Sequence, residues 1–490
     1  MNEPIKGIQA DLTGRVSPPT GAPATFDAVP VSSAYVIVLS SVAAIGGFLF
    51  GFDSGVINGT VDGLKRTFSS DAAVTGFNVA SILLGCAAGA FIAGNLADRF
   101  GRRTVMIATA LLFTIGAWGS GIAHSSAEFV AYRLLAGLAI GAASVICPAY
   151  ISEIAPAVIR GRLASLQQLA IVLGLFMAFL SNYLIANAAG GASKPFWFGF
   201  EGWQWMFWAG MIPALIFLLT LLFIPESPRY LVAAKRFDRA RSVLARLDHA
   251  TDADAKVREI EQTLVADHKP SMADLIEKAT GRVRPIVWVG IGLAVFQQLV
   301  GINVVFYYGE VLWSAAGFTQ SDALLINVIG GAVNVASTFV AIALIDKLGR
   351  KPLLLGGSIG MAIALGGLAW IFGSSPMAGG HLTLSSNTGT AALLLANAYV
   401  FCFGTSWGPV MWVMLGEMFP NRIRGSGLAV AGLFQWLANF GITWTFPMLL
   451  AGTGLAGAYG FYAVASAVSV YFVLRYVHET RGKELEEMQG

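Results

Sequence analysis

Residues 352–416 contain no Asp, Glu, Lys or Arg, and neither do residues 425–474. A surface facing water is hard to build from such tracts, since about a quarter of an ordinary soluble chain is charged. A membrane span takes about 20 consecutive apolar residues, so each tract holds two spans and the turn between them. The rest of the chain agrees: 56% of its 490 residues are hydrophobic and 12% charged. The pattern predicts an all-α polytopic membrane protein.

Further apolar runs place spans near 33–58, 74–97, 104–123, 128–150, 163–186 and 203–224. Six more fall near 284–310, 321–346, 352–373, 390–416, 425–447 and 455–477, and an even total of twelve puts both termini on one side. Of the 31 Lys and Arg residues, all but Lys65, Arg66, Lys194 and Arg133 lie in the tails and in the loops on that side. The positive-inside rule then makes both termini cytoplasmic, in a cell membrane. Residues 1–30 read as a flexible tail without a cleavable signal, and residues 479–490 as a second tail. Cys86, Cys147 and Cys402 each sit inside an apolar run, as small buried side chains do.

The amphipathic stretch 225–284 reads as a cytosolic helical linker between six-helix halves at 31–224 and 285–478. The halves echo each other. Asp98-Arg-Phe-Gly-Arg-Arg103 follows the second span and Asp346-Lys-Leu-Gly-Arg-Lys351 the eighth. Glu153, Pro156 and Arg160 follow the fourth as Glu417, Pro420 and Arg424 follow the tenth. Glu226 and Arg229 follow the sixth as Glu479 and Arg481 follow the twelfth. A parallel repeat of this kind is a transporter architecture, with substrate bound between the halves. The charged set Arg99, Arg102, Glu153, Arg160, Glu226, Arg229, Arg350, Glu417, Arg424 and Glu479 reads as a breakable gating latch between halves on the cytoplasmic side, the plainer reading being interfacial anchoring.

The seventh span contains FQQLVGINVVFYYG, with Gln297, Gln298 and Asn303 in an apolar run. An unpartnered amide in hydrocarbon is unfavourable by about 2–7 kcal/mol. On a regular helix Asn303 points about 140° away from Gln298. A local unwinding at Gly301 would bring the three together, as is tolerated where backbone lines a protein cavity. Companion amides are Gln167, Gln168, Asn334, Gln435 and Asn439, with Trp407, Trp412 and Trp436 near them in sequence. Amides offer the donors and acceptors that vicinal hydroxyls need, and indole faces pack on sugar C–H faces; hydrogen bonds that merely hold helices together are the alternative.

The stretches FQQLVGIN, YYG, PESPRYL, SWGPVMWV and ETRGKELEEM, with the two Asp-x-x-Gly-Arg loops, resemble the sugar porter family of the major facilitator superfamily across residues 33–485. Within it the likeness is to bacterial xylose and glucose proton symporters. The resemblance implies the major facilitator fold, with Gln168, Gln297, Gln298, Asn303, Asn334 and Gln435 binding sugar hydroxyls and Trp412 stacking on the ring. Leu175 and Phe306 look more like glucose carriers than pentose-selective ones. His478 and Arg481 depart from the family's usual Pro and Lys there.

Asp53 interrupts an apolar first span, and Arg133 is an arginine deep in the fourth. An intramembrane charge is a functional hypothesis by default. Burial favours the protonated form of an acid and a nearby arginine the ionised form, so the pair reads either as a proton switch or as a static structural pair. In proton-coupled relatives the resemblance assigns it the first role. Glu310, at the outer end of the seventh span, reads as a solvated interface residue.

The expected activity is proton-coupled uptake of a monosaccharide, a hexose such as glucose or else xylose, by a monomer in a lipid bilayer; a proton-independent facilitator is the alternative. No enzyme is expected: Gly404-Thr-Ser-Trp-Gly408 matches G-x-S-x-G but falls in a span. No nucleotide loop of the form G-x-x-x-x-G-K-[ST] occurs, and no metal, cofactor or nucleic acid is expected. Asn58-Gly-Thr60 is a glycosylation sequon at the end of the first span.

Overall fold

The computed structural model describes residues 33–248, 253–266, 271–277, 281–378 and 381–481. The expected tail at 1–30, and that at 479–490 beyond Arg481, lie outside them. In hydrocarbon each backbone polar group must find its partner within the segment, which leaves the helix as the spanning form for such apolar runs. Spans 1 to 6 are Ser33–Val56, Ala72–Phe100, Arg102–Ile122, Ser126–Ile154, Ala157–Ala189, and Gly202–Ala209 running on into Met211–Leu221. Span 7 is the pair Pro285–Leu299 and Ile302–Ala315, followed by span 8 (Gln320–Leu348) and span 9 (Arg350–Ser374). Span 10 is the pair Ser386–Thr405 and Trp407–Met418. The last helix, Asn421–Tyr476, is interrupted at Gly454 (φ 67°) and so forms spans 11 and 12. A two-residue strand pair, Met377–Ala378 with His381–Leu382, links spans 9 and 10.

The internal repeat is visible in the helix ends. Asp71, Ser125, Thr319 and Ser385 cap spans 2, 4, 8 and 10, each accepting from a backbone N–H in the first turn. Such caps satisfy donors that a helix start leaves orphaned. The turns from span 2 to 3 and from 8 to 9 pass through Gly101 (φ 94°) and Gly349 (φ 95°), a left-handed backbone that favours glycine.

Small residues let the spans close on one another. Added Cβ atoms at Gly85 and Gly89 of span 2 would meet the Leu134 and Leu138 carbonyls at 2.4 and 2.2 Å. Reciprocally, those at Gly137 and Gly141 of span 4 would meet the Ile82 and Cys86 carbonyls at 2.1 and 2.0 Å. Such small-residue stripes bring membrane helices to backbone contact, and this one fixes span 4, and with it Arg133, in the N-terminal half. Between the halves, helices Pro228–Ala233, Phe237–Asp248 and Ala253–Ala266 bury Tyr230, Leu231, Val232, Ala240, Leu244 and Val257 together. The end of the molecule carrying these helices is the linker face, and the other the far face.

Candidate functional site

Span 1 and span 4 meet at a charge pair. Arg133 donates from both terminal nitrogens to the two oxygens of Asp53, at 2.7 and 2.9 Å. The two residues are 1% and 5% exposed, so the pair is sealed from water. The guanidinium also lies 5.5 Å from the Phe207 ring centre, while its Nε has no partner. Breaking a buried pair from one side leaves an uncompensated charge and is destabilising by about 3–5 kcal/mol. Tyr307 of span 7 lines a small cavity together with Asp53 and Arg133, and its hydroxyl faces Ser54, next to Asp53, and Asn439 of span 11. This tyrosine connects the surroundings of the charge pair in one half to a polar group of the other.

Span 7 breaks where Gly301 stands between its two pieces, with φ +90°. The turn folds Asn303 back onto Gln298. Asn303 Nδ2 donates to Gln298 Oε1 at 2.5 Å, Gln298 Nε2 to Gln297 Oε1 at 2.9 Å, and Gln435 Nε2 to the same Gln297 oxygen at 2.8 Å. Gln297 itself donates to the Trp407 carbonyl at 3.2 Å. That carbonyl belongs to the first residue after a second break, at Ser406 (φ −131°, ψ −90°) in span 10. Two broken helices and span 11 therefore converge on one line of amides. Gln435 Oε1 is buried without a partner, an acceptor left open at the end of the line.

The remaining sequence-derived residues stand apart from that line. Trp412 lies further along the helix that starts at Trp407, with 40% of its surface exposed. Asn334 is buried in span 8 and packs against Gly404 of span 10. Gln168 is half-buried on span 5, beside buried Gln167, whose Oε1 has no partner.

At the linker face two locks repeat each other. Arg102 bonds Glu153 through Nε at 3.2 Å and a terminal nitrogen at 3.1 Å, and Ser227 Oγ donates to Glu153. Arg350 bonds Glu417 at 3.0 and 2.7 Å, and Thr480 Oγ1 donates to Glu417 at 2.6 Å. Glu226 and Glu479 accept from the first backbone N–H groups of spans 3 and 9, at 2.9 Å (Arg102) and 3.0 Å (Arg350). Burial alone would push the Glu479 carboxyl up, but the backbone N–H groups of Arg481, Arg350, Lys351 and Thr480 outweigh it and hold it below its ordinary value.

In this structure the charged residues expected to latch the halves together pair within each half. Each lock closes inside its own half, tying the span 2–3 or span 8–9 turn to the end of span 4 or 10 and to the segment after span 6 or 12. Arg99 is exposed, over the Phe100 ring, while Arg229 lies near Glu153. Arg424 bonds the Phe419 carbonyl at 3.4 Å rather than Glu417. The side chain of Arg160 lies outside the described residues.

The halves join directly at the far face. Trp444 Nε1 of span 11 donates to the Ala73 carbonyl of span 2 at 3.2 Å, and Ser321 Oγ of span 8 to Asn187 Oδ1 of span 5 at 2.8 Å. Ala192 N–H bonds Gln320 Oε1 at 3.0 Å. Glu310 belongs to this seam and is not the solvated residue expected: it is 4% exposed and accepts from Ser314 Oγ at 3.1 Å and Gln320 Nε2 at 3.4 Å. The seam buries it because span 8 and the N-terminal half close over the end of span 7.

Two six-helix halves, broken helices meeting at a line of amides and a sealed charge pair define a membrane transporter of the major facilitator architecture, not an enzyme. Residues 39–490 match the family described as "Sugar (and other) transporter", and the chain belongs to that family. It is 52% identical over 455 residues to a "Glucose transport protein" of Synechocystis, covering 93% of this chain and 97% of the relative. It is 38% identical over 492 residues to the "D-xylose-proton symporter" of Escherichia coli, covering 94% and 96%. Among solved structures, the inward open conformation of the Escherichia coli xylose transporter XylE aligns with a TM-score of 0.79 at 37% identity, over 93% of this chain and 99% of that one. The same symporter bound to 6-bromo-6-deoxy-D-glucose aligns with a TM-score of 0.75 at 38% identity, over 93% and 99%.

Proposed function

We propose that the protein is a proton-coupled symporter carrying a monosaccharide across the cell membrane by alternating access, a hexose such as glucose first and xylose second. The observation that carries this reading is the hydrogen-bonded line Asn303–Gln298–Gln297–Gln435 across the break in span 7. Its donors and acceptors are paired with one another and can be exchanged for sugar hydroxyls, with Gln168, Asn334 and Trp412 completing the site on closure. Leu175 and Phe306, both buried, favour the hexose. Asp53 and Arg133 serve as the proton switch, because a buried carboxylate must be neutralised by a proton before its arginine can leave. The linker face is cytoplasmic, so both termini are too. The structure is then shut to the outside, in keeping with its inward-open relative. The domains follow as halves at 31–224 and 285–478 around the linker 225–284, and one chain contains both halves of the path, as a monomer requires.

A second reading, a proton-independent facilitator, draws on the completeness of the Asp53–Arg133 contact, in which both carboxylate oxygens are taken. The two separate in lightly buffered, de-energised cells expressing the protein. Symport gives external alkalinisation on adding glucose or xylose, lost in Asp53→Asn while sugar exchange persists. Sugar entry without a pH change assigns the facilitator, and entry of neither sugar defeats the reading of the amides.

A further inference from the structure

Asn58 entered the sequence reading only as part of a sequon, yet it is fully buried, in the turn that ends span 1. Its carboxamide reaches into the other half. Asn58 Nδ2 donates to the Phe306 carbonyl at 2.8 Å, and Asn58 Oδ1 accepts from the Glu310 backbone N–H at 3.1 Å. Residues 306 and 310 are the i and i+4 partners of a regular helix, whose N–H and C=O would bond each other. Between them Tyr308 leaves helical geometry, at φ −117° and ψ 15°. The two backbone atoms an unbroken span 7 would pair are thus both held by one amide from the N-terminal half. Asn327 Nδ2 of span 8 completes the knot at 3.0 Å from the same Oδ1. There is no slack in it: a Cβ on Gly309 would stand 2.2 Å from Asn327 Oδ1 and 2.8 Å from Asn58 Nδ2.

We propose that Asn58 is a removable splint for span 7, holding the span bent at Tyr308 while the far face is shut and releasing it to straighten as the halves part there. A side-chain amide can replace a backbone bond with little net change, because a buried N–H and C=O need a partner but not a particular one. When span 1 withdraws, the Phe306 carbonyl and the Glu310 N–H need pairing again and find each other. Tyr307, which faces Ser54 and Asn439, lies inside the segment that straightens. Opening at the far face is thereby coupled to the shape of the helix that carries the amides, and Asn58 acts as a positioning residue rather than a ligand. The inference rests on the reading of the chain as an alternating-access carrier.

The test measures far-face opening directly. In a variant with Cys86, Cys147 and Cys402 replaced, Phe77→Cys places a thiol in the seam where Phe77 meets Phe440 and Trp444. Its labelling by a membrane-impermeant maleimide is followed on intact cells. Asn58→Ala should raise the labelling rate by about tenfold, the shift expected when two hydrogen bonds of modest net worth are lost from one state. Asn327→Ala, which spares both span 7 bonds, should raise it by no more than about twofold on the same scale. Equal effects of the two variants, or no change with Asn58→Ala, would overturn the proposal. Should Asn58→Ala fail to reach the membrane, Asn58→Asp keeps the shape, sets an oxygen against the Phe306 carbonyl, and must show the same rise. Sugar uptake by the parent protein in the same cells tests the carrier reading separately, since labelling needs no transport.

Discussion

Gly301→Ala asks whether the break in span 7 is what assembles the amides. At φ +90° residue 301 already lies in the left-handed region, and an added methyl would stand 2.6 Å from a Tyr462 ring carbon. A non-glycine residue there is disfavoured by about 1–2 kcal/mol. Forcing a methyl into filled space adds roughly 1–3 kcal/mol. Tyr462 is 5% exposed and packed between Phe446 and Phe461, so its ring cannot swing clear. The sum is about 2–5 kcal/mol. The chain relieves it most directly by returning residue 301 to right-handed geometry and continuing the helix. That rotates Asn303 by about 140° from Gln298 and breaks their bond. Even the lower bound of about 2 kcal/mol corresponds to an affinity loss of about 30-fold. The assay is sugar binding to purified protein by titration calorimetry, with the thermal midpoint measured alongside. A Kd within about twofold of the parent value would refute the reasoning, and most plainly so if the midpoint fell, since the strain would then be real and borne without loss of binding.

Two further outcomes are expected. Gln297→Ala removes the acceptor shared by Gln298 and Gln435 and leaves two buried donors unpaired, each worth about 1–3 kcal/mol; sugar Kd should rise at least tenfold on that scale, and an unchanged Kd would assign these amides to helix packing. Glu479→Gln should lower the thermal midpoint of the purified protein at neutral pH. A carboxyl held below its unfolded value contributes stability above that value and loses it as pH falls through the folded one, so the gap to the parent should close on acidification. A gap that widens in acid would contradict the backbone-bonding account of Glu479.

Much of this molecule was legible before the structure because its constraints are local. Charge-free tracts mark spans wherever hydrocarbon excludes charge, and Gly301 between two groups of amides marks the break that unites them. Asp53 and Arg133 stood out as charges within apolar runs. The misses concern partners that sequence distance hides. Nothing in the spacing of Arg102, Glu153, Arg350 and Glu417 says whether the pairs close within halves or between them. Glu310 sits near a span end, where solvent is the natural expectation; Gln320 and the closure of the far face bury it. Asn58 was masked by its sequon, although an amide at the end of a buried helix has the same claim to a polar partner as those in span 7. The break at Ser406 had a signal in the neighbouring Gly404, Gly408 and Pro409, residues that weaken a helix by backbone freedom or a missing N–H.

The repeat makes the halves alike at the linker face and unlike at their centres, and the difference divides the work. In the N-terminal half, spans 1 and 4 run unbroken past the charge pair, and span 4 is packed backbone to backbone on span 2. A buried ion pair needs such rigidity, because any loosening admits an uncompensated charge. In the C-terminal half the amides stand on spans 7 and 11 and are tied to the Trp407 carbonyl of span 10, and spans 7 and 10 are both broken at the site. Neutral amides exchange partners at small net cost, so this half can change shape around a ligand without stranding a charge. Coupling then needs a piece that touches both, and the second part of span 7 is that piece: Asn303 joins the amides, Tyr307 faces the residue beside Asp53, and Phe306 and Glu310 are held by Asn58. On the proposed reading, a ligand that pulls on Asn303 and a seam that pulls on Glu310 act on the same short helix from opposite ends, with Tyr307 between them.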